Sequence, residues 1–311
     1  MKHVLTCALA LTLTVLPSLA QAQDSKPATK KKTARKLLLW KVSGKGLKTP
    51  SYLFGTIHLP DKRVLALPKA VDKAIDASDA LFCELALEKD LQVKMTPHLM
   101  LGGGKTLVDV LGQDLVDRAA KLLAAKGLPI QPFLQLKPWV LMSQLTMLLE
   151  YFQESMTQQP ALDSVLYNRA KAAGKEVGGL EKVEDQLAVF DSLSAKAQKK
   201  MVAEGLDGFE KAAKEGTRTT EPLVRAYLSG DLGEMMKQSK EEIGDDKEMI
   251  AFMKLLLDDR NVTMTAAIAK HLKGAPSKTF FFAVGSAHYP GKLGIVALLK
   301  AKGFTVERVA R

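Results

Sequence analysis

Cysteine is almost absent from this 311-residue chain, which contains only Cys7 and Cys83. Cys7 lies within an apolar N-terminal segment, so removal of that segment would leave Cys83 as the single thiol. One thiol cannot form an internal disulfide, and the folded domain must therefore be held together by its core. Because Cys83 lies in the apolar stretch ALFCEL, we expect a buried, inert side chain rather than a nucleophile.

Several motifs of enzymes and of nucleic-acid-binding proteins are also missing. The chain has no HExxH, GxSxG or CxxC pattern. The stretch GGGKT, residues 102–106, lacks the GxxxxGK[ST] spacing of a phosphate loop and predicts a turn. Aromatic residues make up 6% of the chain and no nucleic-acid-binding module is recognisable, which argues against nucleic acid as a partner. Past the N-terminus, no uniformly apolar run reaches the length of about 18–20 residues that a membrane-spanning helix needs.

The first 22 residues have the layout of a secretory signal peptide. Lys2 supplies a positive start, an apolar segment follows, and Ala20-Gln21-Ala22 provides a small-x-small cleavage site. Residues 23–36 then form a leader with six basic residues and one acidic residue, a composition that predicts a disordered, solvated segment. We therefore expect cleavage near Ala22 and a periplasmic or secreted protein.

Strand patterns occur at both ends of the remaining domain, residues 37–311. LLLWKVSG and TPSYLFGTIH, separated by a Lys/Gly turn, predict a β-hairpin. Pro68 opens an amphipathic helix that leads into the strand pattern ALFCEL, which gives the strand-helix-strand order of a parallel α/β sheet. The same order returns at the C-terminus in FFFAVG, LGIVALLKAKG and FTVERV.

The middle of the domain is helical in period. One helical region runs from about residue 105 to 170, with LVDVLGQDLVDRAAKLLAAKG stopped by Gly127. A second runs from 184 to 273, with GTRTTEP and SGDLG as breaks, and a third strand pattern, KEVGGLE, lies between the two. The predicted fold class is therefore α/β, with a mixed central sheet built from both chain termini and a helical insertion at about 105–273.

One pattern occurs twice, once near each end of the domain. SYLFGTIHLP and FFFAVGSAHYPG both close an apolar run with glycine, a hydroxyl residue, one further residue and a histidine, which gives His58 and His288. Two other strand patterns end at Glu84 and Glu181. Because the carboxyl ends of parallel strands meet at one edge of a sheet, we expect these four side chains to lie together. Two imidazoles with one or two carboxylates would suit Zn²⁺, Mn²⁺, Fe²⁺ or Co²⁺.

The residues before each histidine have local reasons to be there. Gly55 and Gly285 let the backbone turn sharply off a strand end and allow a ligand to approach closely. Thr56 and Ser286 can bond to nearby backbone or fix the tautomer of an imidazole. We therefore include all four in the predicted site as supporting residues.

Structural roles are the alternative for each of these positions. A histidine at a strand end is more often a hydrogen-bonded core residue than a ligand, and it is the repetition of the motif that favours function. Glu181 also suits the start of a helix, where acidic residues are favoured. His98 is expected in a loop beside Pro97 and His271 near a helix end, and both are expected to be solvated.

These motifs resemble those of the TraB/GumN family, also called the TraB/PrgY/GumN or Tiki-like group. The resemblance rests on stretches that occur in the family's order over most of the domain: LWKVSG…SYLFGTIHLP, LFCEL, GKEVGGLEKVEDQLAVF, LLDDRNVTM and FFFAVGSAHYPGKLGIVALLKAKGFTVERV. Two GxxH motifs at opposite ends of the domain are the hallmark of the family. The chain departs from the family pattern at Tyr289, where leucine is common, and at Met264, where an aromatic residue often follows the RN pair.

The resemblance implies a fold similar to the erythromycin-esterase/ChaN-like group and a divalent-metal-dependent hydrolase, namely a peptidase. It implies that His58 and His288 are metal ligands and that Glu84 is a ligand or a general base. Arg260 would contact the substrate or an oxyanion, with Asn261 beside it. The implied cofactor is Mn, Co or Zn, and the implied substrate is a peptide or protein of the cell envelope.

Two other functions are compatible with the same resemblance. Because related ChaN-like proteins bind haem, the chain could be a non-enzymatic protein that binds haem, iron or a cell-envelope ligand. Because some bacterial members are encoded in polysaccharide gene clusters, it could instead be an accessory factor in polysaccharide handling. Nothing in the sequence indicates an oligomeric state.

Overall fold

A six-stranded mixed sheet lies at the centre of the protein. The computed structural model describes residues 36–88, 90–231, 233, 236 and 243–310, so the predicted signal peptide and nearly all of the leader lie outside the described residues. The strands are β1 Leu39–Ser43, β2 Ser51–Thr56, β3 Ala80–Cys83, β4 Glu176–Gly179, β5 Phe280–Gly285 and β6 Thr305–Arg308. Their spatial order is β4-β3-β5-β2-β1-β6. Strands from both ends of the domain therefore share one sheet, which confirms the predicted α/β architecture.

The strand directions bring one set of strand ends together. β2, β5, β3 and β4 run parallel to one another, whereas β1 is antiparallel to both β2 and β6. The predicted β1–β2 hairpin forms because Gly44 and Gly46, with φ of 79° and 81°, adopt the left-handed backbone of its turn. The carboxyl ends of the four parallel strands consequently lie at a single edge of the sheet.

Helices account for most of the remaining structure. In chain order they are α1 Lys62–Leu65, α2 Lys69–Asp76, α3 Leu91–Leu99, α4 Leu107–Leu111, α5 Gln113–Ala124, α6 Pro138–Glu150, α7 Phe152–Met156, α8 Leu162–Ala172, α9 Val183–Asp191, α10 Ala195–Glu215, α11 Glu221–Ser229, α12 Lys247–Met253, α13 Arg260–Gly274 and α14 Ile295–Ala301. A π-helical turn, Lys254–Asp259, joins α12 to α13. Short 3-10 turns occupy Gln131–Phe133 and Ser286–His288. The helical middle predicted from the sequence is thus present, and it contains β4 where KEVGGLE predicted a strand.

Two hydrophobic cores hold the sheet and the helical region together. The first surrounds the sheet and includes Leu81, Phe281 and Phe282, which are fully buried. The second lies among the helices of the middle region, where the rings of Trp139 and Phe190 stack with their centroids 4.7 Å apart. Burial of each large apolar side chain contributes about 1.5–3 kcal/mol to folding. Cys83 belongs to the first core, as predicted, and burial raises the pKa of its thiol well above the ordinary value.

Two local predictions need correction. The helical pattern that was expected to run on to Gly127 is divided into α4 and α5 at Gly112, whose φ of 87° is incompatible with a continuous helix. His98 was expected in a loop, but it lies inside α3 together with Pro97. Proline removes one backbone donor from a helix, and here the packing of α3 against α9 outweighs that loss. Among the described residues, none of the helices combines the length and apolar character that crossing a membrane requires.

A charged network joins α11 to the N-terminus of α1. The guanidinium of Arg63 donates hydrogen bonds of 2.7–3.0 Å to Asp61 and of 2.8–3.1 Å to Glu221. Arg225 also donates to Glu221, at 2.8 Å. The hydrogen bonds from Arg63 are the largest cause that lowers the pKa of Glu221, to about 2.

We expect Glu221→Gln to lower the free energy of unfolding at neutral pH but not in acid. Because the pKa of Glu221 is about 2 in the folded protein against an ordinary 4.5, its contribution is present above pH 4.5 and is lost as the pH falls through 2. The side chain of Arg63 is 45% exposed, so solvent screening limits the effect to about 1 kcal/mol. Urea unfolding of both proteins across this pH range measures the difference. A difference that does not change with pH would contradict the prediction.

Candidate active site

The four side chains predicted to meet all follow parallel strands at the same sheet edge. His58 lies just after β2, Glu84 directly after β3, Glu181 just after β4 and His288 in the 3-10 turn after β5. Glu84 connects them, since its carboxylate lies within 4 Å of both imidazoles and also contacts Arg260. The structure therefore places residues from four separate strand ends in one cluster.

His58 is oriented by an acidic residue from α8. Its Nδ1 donates a hydrogen bond of 2.7 Å to Oδ2 of Asp163, and the hydroxyl of Thr56 donates one of 2.6 Å to Oδ1 of the same carboxylate. The opposite ring nitrogen, Nε2, lies 3.6 Å from Oε1 of Glu84. Burial lowers the pKa of His58, but the carboxylates of Asp163 and Glu84 outweigh this effect and hold that pKa well above the ordinary value.

His288 is oriented by an amide instead of a carboxylate. Its Nδ1 donates a hydrogen bond of 2.7 Å to Oδ1 of Asn261, and its Nε2 lies 3.8 Å from Oε1 of Glu84. The ring is almost fully buried, and this burial, reinforced by the charges of Arg260 and His58, lowers the pKa of His288 to about 3. His288 is therefore a neutral imidazole whose Nε2 carries a free lone pair.

The carboxylate of Glu84 is held from several sides. Its Oε1 accepts a hydrogen bond of 2.7 Å from the backbone N–H of Gly285, and its Oε2 accepts bonds from Arg260 at 2.6 Å and Gln186 at 3.1 Å. Burial raises the pKa of Glu84, but the charge of Arg260 and the hydrogen bond and charge of His58 outweigh it, so the net pKa lies well below the ordinary value. Glu84 is consequently an ionised carboxylate whose Oε1 faces both imidazoles.

Arg260 joins Glu84 to Glu181. Its Nε donates to both oxygens of Glu181 at 3.0 and 3.2 Å, and its Nη2 donates to both carboxylates. Its Nη1 donates to the carbonyl oxygen of Leu256, in the π-helical turn, at 3.1 Å. All three guanidinium nitrogens thus donate within the protein, and the predicted contact of Arg260 with substrate stays a prediction.

The glycines of the repeated motif are required by close approach. A Cβ atom on Gly285 would lie 2.9 Å from Oε1 of Glu84 and 3.5 Å from Nε2 of His58. A Cβ atom on Gly55 would lie 3.2 Å from that of Ser286. The two copies therefore pack directly on each other through neighbouring strands β2 and β5, and each needs a residue without a side chain at this point.

Two residues of the cluster were not predicted from the sequence. Asp163 lies in the first turn of α8, and Gln186 lies in α9, where its Nε2 donates to Glu84 and Glu181. The pattern ALDSVLYNRA around Asp163 reads as an ordinary helix start with a favoured acidic residue. Asp163 differs from a solvated acidic residue at a helix start only in being buried, with 7% of its surface exposed.

The donor set suits a divalent cation. Each imidazole uses Nδ1 for a hydrogen bond to the protein and so directs Nε2 toward the same carboxylate oxygen, which is the arrangement of metal-binding histidines. At His58 a bound cation would take the place of the proton on Nε2. Ligands at about 2 Å from one tetrahedral ion lie about 3.4 Å apart, close to the 3.6 and 3.8 Å between Oε1 of Glu84 and the two Nε2 atoms. No three His, Cys, Asp or Glu side chains within the described part of the chain already stand at the spacing of a complete metal site. The chemistry of the donors therefore fits a divalent cation.

Residues 38–308 match the sequence model of the TraB/PrgY/gumN family. The chain belongs to the TraB/PrgY/gumN family. The matched region includes all six strands and every residue of the cluster described above. Family membership therefore applies to the candidate active site as well as to the sheet that carries it.

Several curated relatives of this TraB/PrgY/gumN chain are named as metalloproteases. Metalloprotease TIKI2 of Danio rerio is 27% identical over 312 residues, which covers 86% of this chain and 60% of the relative. Metalloprotease TIKI homolog of Amphimedon queenslandica is 26% identical over 317 residues, covering 88% and 61%. Metalloprotease TIKI1 of Homo sapiens is 26% identical over 348 residues, covering 95% and 68%. The chain thus spans about three-fifths of the length of the first two.

No solved structure matches the chain. The predicted likeness to the erythromycin-esterase/ChaN-like fold stays a prediction.

Proposed function

We propose that this chain is a metal-dependent hydrolase of the peptidase type, with its active site at the carboxyl edge of the sheet. The observation that carries the proposal is the convergence of Nε2 of His58 and Nε2 of His288 on Oε1 of Glu84, at 3.6 and 3.8 Å. The names of the curated relatives, Metalloprotease TIKI1 and TIKI2, support the same class of activity. A bound divalent cation of the Mn, Co or Zn type would supply Lewis acidity, polarising a carbonyl and making water a stronger acid.

The cluster's own residues would position that chemistry. His58 and His288 would hold the cation through their Nε2 atoms, since each Nδ1 is already bonded to the protein. Glu84 would face it with Oε1, because Oε2 is occupied by Arg260 and Gln186. Oε1 is also the carboxylate oxygen that both imidazoles face, so it would serve either as a third ligand or as the base that accepts a proton from an attacking water molecule.

Arg260 would act on Glu84 in this proposal. Arg260 is 9% exposed, and its guanidinium donates to Glu84, to Glu181 and to a backbone carbonyl. This positive charge keeps Glu84 ionised beside the histidines and fixes which of its oxygens faces them. Arg260 would therefore be a positioning residue, and Glu181 would be the second carboxylate that holds it in place.

A haem-binding role fits this geometry less well. An axial haem ligand needs an Nε2 atom that faces an open pocket. Here both Nε2 atoms face a buried carboxylate that also bonds to the backbone of Gly285. Haem ligation by His58 or His288 would require Glu84 to move away from three hydrogen-bond donors.

We also propose that the protein is exported and acts on a peptide or protein of the cell envelope. The signal-like layout of residues 1–22, with a small-x-small site at Ala20-Gln21-Ala22, supports export. The metalloprotease relatives support a protein substrate. Detection of a mature N-terminus near Ala22 in periplasmic or secreted material, by N-terminal peptide mass spectrometry, tests the first part.

Chelator-sensitive cleavage of peptides tests the proposed activity. Wild-type protein is stripped with a chelator, reloaded separately with Mn²⁺, Co²⁺ and Zn²⁺, and incubated with a complex peptide mixture whose products are identified by mass spectrometry. We expect new termini with at least one reloaded metal and none with the stripped protein. His288→Ala serves as the inactive control, because it removes one Nε2 donor. If stripped protein or reloaded His288→Ala formed new termini as fast as reloaded wild type, the proposal would be contradicted.

A further inference from the structure

We propose that Asp163 is a positioning residue for His58, and that together with Thr56 it fixes the tautomer and ring plane of that histidine. Its Oδ2 lies 2.7 Å from Nδ1 of His58 and its Oδ1 lies 2.6 Å from the hydroxyl of Thr56. The positioning role stands on these contacts alone. The consequence for metal affinity rests on the proposed function.

The carboxylate of Asp163 is anchored on the strand that leads to His58. Thr56 is the last residue of β2, and its hydroxyl takes one carboxylate oxygen, so the other oxygen is aimed at the ring two residues further along the chain. Because an ionised carboxylate accepts but does not donate hydrogen bonds, it selects the form of His58 that carries hydrogen on Nδ1. Nε2, which faces Glu84, is then the ring nitrogen left for a cation, which would replace the proton there.

The backbone of Asp163 is held as firmly as its side chain. Asp163 is the second residue of α8, and α8 packs against β3 and β4. A carboxylate in the first turn of a helix is also favoured by the positive end of the helix dipole, by about 0.3–1 kcal/mol. Asp163 is 7% exposed and each of its carboxylate oxygens accepts a hydrogen bond from the protein, so protein groups set its orientation.

His288 provides the internal comparison, because its Nδ1 bonds to the neutral amide of Asn261. A carboxylate partner increases the electron density on the distant ring nitrogen more than an amide does, so His58 would be the stronger of the two ligands. Replacing such a partner of a metal-binding histidine costs about 10–100-fold in metal affinity. Asp163→Asn gives both histidines an amide partner and removes this difference between them.

Binding of Co²⁺ to stripped protein tests the consequence for the metal. We expect Asp163→Asn to weaken Co²⁺ binding by about 10–100-fold, measured by calorimetric titration and by the visible absorption of the bound ion. Asp72→Asn is the matched control, because it also removes a carboxylate that contacts α8, in this case through Arg169. Asp72 itself is not part of the histidine cluster. The control should bind Co²⁺ with wild-type affinity. Equal affinity of Asp163→Asn and wild type would overturn the proposal.

Nitrogen NMR of stripped, histidine-labelled protein tests the positioning role without any metal. We expect Nδ1 of His58 to carry hydrogen in wild type and in the Asp72→Asn control. In Asp163→Asn the hydroxyl of Thr56 can still donate to the amide oxygen, which turns the NH2 group toward Nδ1 of His58, so the Nδ1 shift should move toward that of an unprotonated nitrogen. An unchanged Nδ1 shift in Asp163→Asn would overturn the proposal whatever the Co²⁺ result.

The two measurements separate this proposal from the proposed function. If wild type binds no Co²⁺ but the Nδ1 shift moves only in Asp163→Asn, the positioning role stands and the metal-dependent function falls. If Asp163→Asn does not fold, Thr56→Val replaces it, because that change frees one oxygen of Asp163 and leaves its charge in place. We expect a smaller shift of the same Nδ1 signal there, and an unchanged signal overturns the proposal.

Discussion

Glu84→Gln should abolish peptide cleavage, with a loss of at least about 10³-fold in kcat/KM. The change keeps the size of the side chain but removes the negative charge that faces His58 and His288. It also removes the carboxylate oxygen placed to receive a proton from water. The loss should appear in kcat, measured with a peptide identified in the cleavage screen, because this charge acts on the reacting atoms.

Glu88→Gln is the matched control for this result. Glu88 lies four residues further along the chain, is exposed, and has no part in the cluster. The control should retain wild-type kcat/KM. Glu88→Gln should unfold at nearly the wild-type temperature, whereas Glu84→Gln should unfold at a lower one, because its NH2 group meets an N–H donor whichever way the amide is turned. The kcat values are therefore compared at a temperature where both variants are folded. Wild-type activity in Glu84→Gln would remove Glu84 from the proposed mechanism.

Arg260→Met should lower the free energy of unfolding by about 3–5 kcal/mol, the largest stability change we expect from one substitution in the site. The guanidinium lies between two buried carboxylates, and its removal leaves Glu84 and Glu181 facing each other without a counter-charge. Burial already raises the pKa of Glu181, against the effect of Arg260, so Glu181 would take up a proton in the variant. Urea unfolding at neutral pH measures the loss.

A second change shows whether uncompensated charge is the cause. Arg260→Met combined with Glu181→Gln should recover part of the lost stability, because only one buried carboxylate then remains unpaired. Arg118→Met is the control: Arg118 also joins two carboxylates, Asp207 and Glu210, but near the surface, where such a pair contributes about 0–1 kcal/mol. Equal losses for Arg260→Met and Arg118→Met would contradict the account.

The sheet could be predicted because its signals are local. Apolar runs that end in glycine mark β2 and β5, and the turn glycines mark the hairpin from β1 to β2. The position of His98 could not be predicted, because the packing of α3 against α9 outweighs the usual effect of Pro97, and such packing is not a property of the local sequence. The split at Gly112 depends on a single backbone angle, which the helical pattern around it conceals.

The candidate site also contains residues that the local sequence predicts and residues that it does not. His58, Glu84, Glu181 and His288 could be singled out because each follows a strand pattern, and parallel strands bring their carboxyl ends together. The hydrogen-bond partners of the two histidines do not follow strand patterns. Asp163 comes from a helix that is distant in sequence, and its pattern is that of a common helix start, so only the fold shows that its carboxylate is buried against His58.

The metal content of purified protein tests the central claim most directly. Wild type, His58→Ala and His288→Ala are each reconstituted separately with Mn²⁺, Co²⁺ and Zn²⁺ and freed of excess metal by gel filtration. The bound metal is then measured by inductively coupled plasma mass spectrometry. The proposed site predicts about one ion per wild-type chain with at least one of these metals, and little or none in either variant. Wild-type protein that retains none of the three metals, or histidine variants that retain as much as wild type, would contradict the claim.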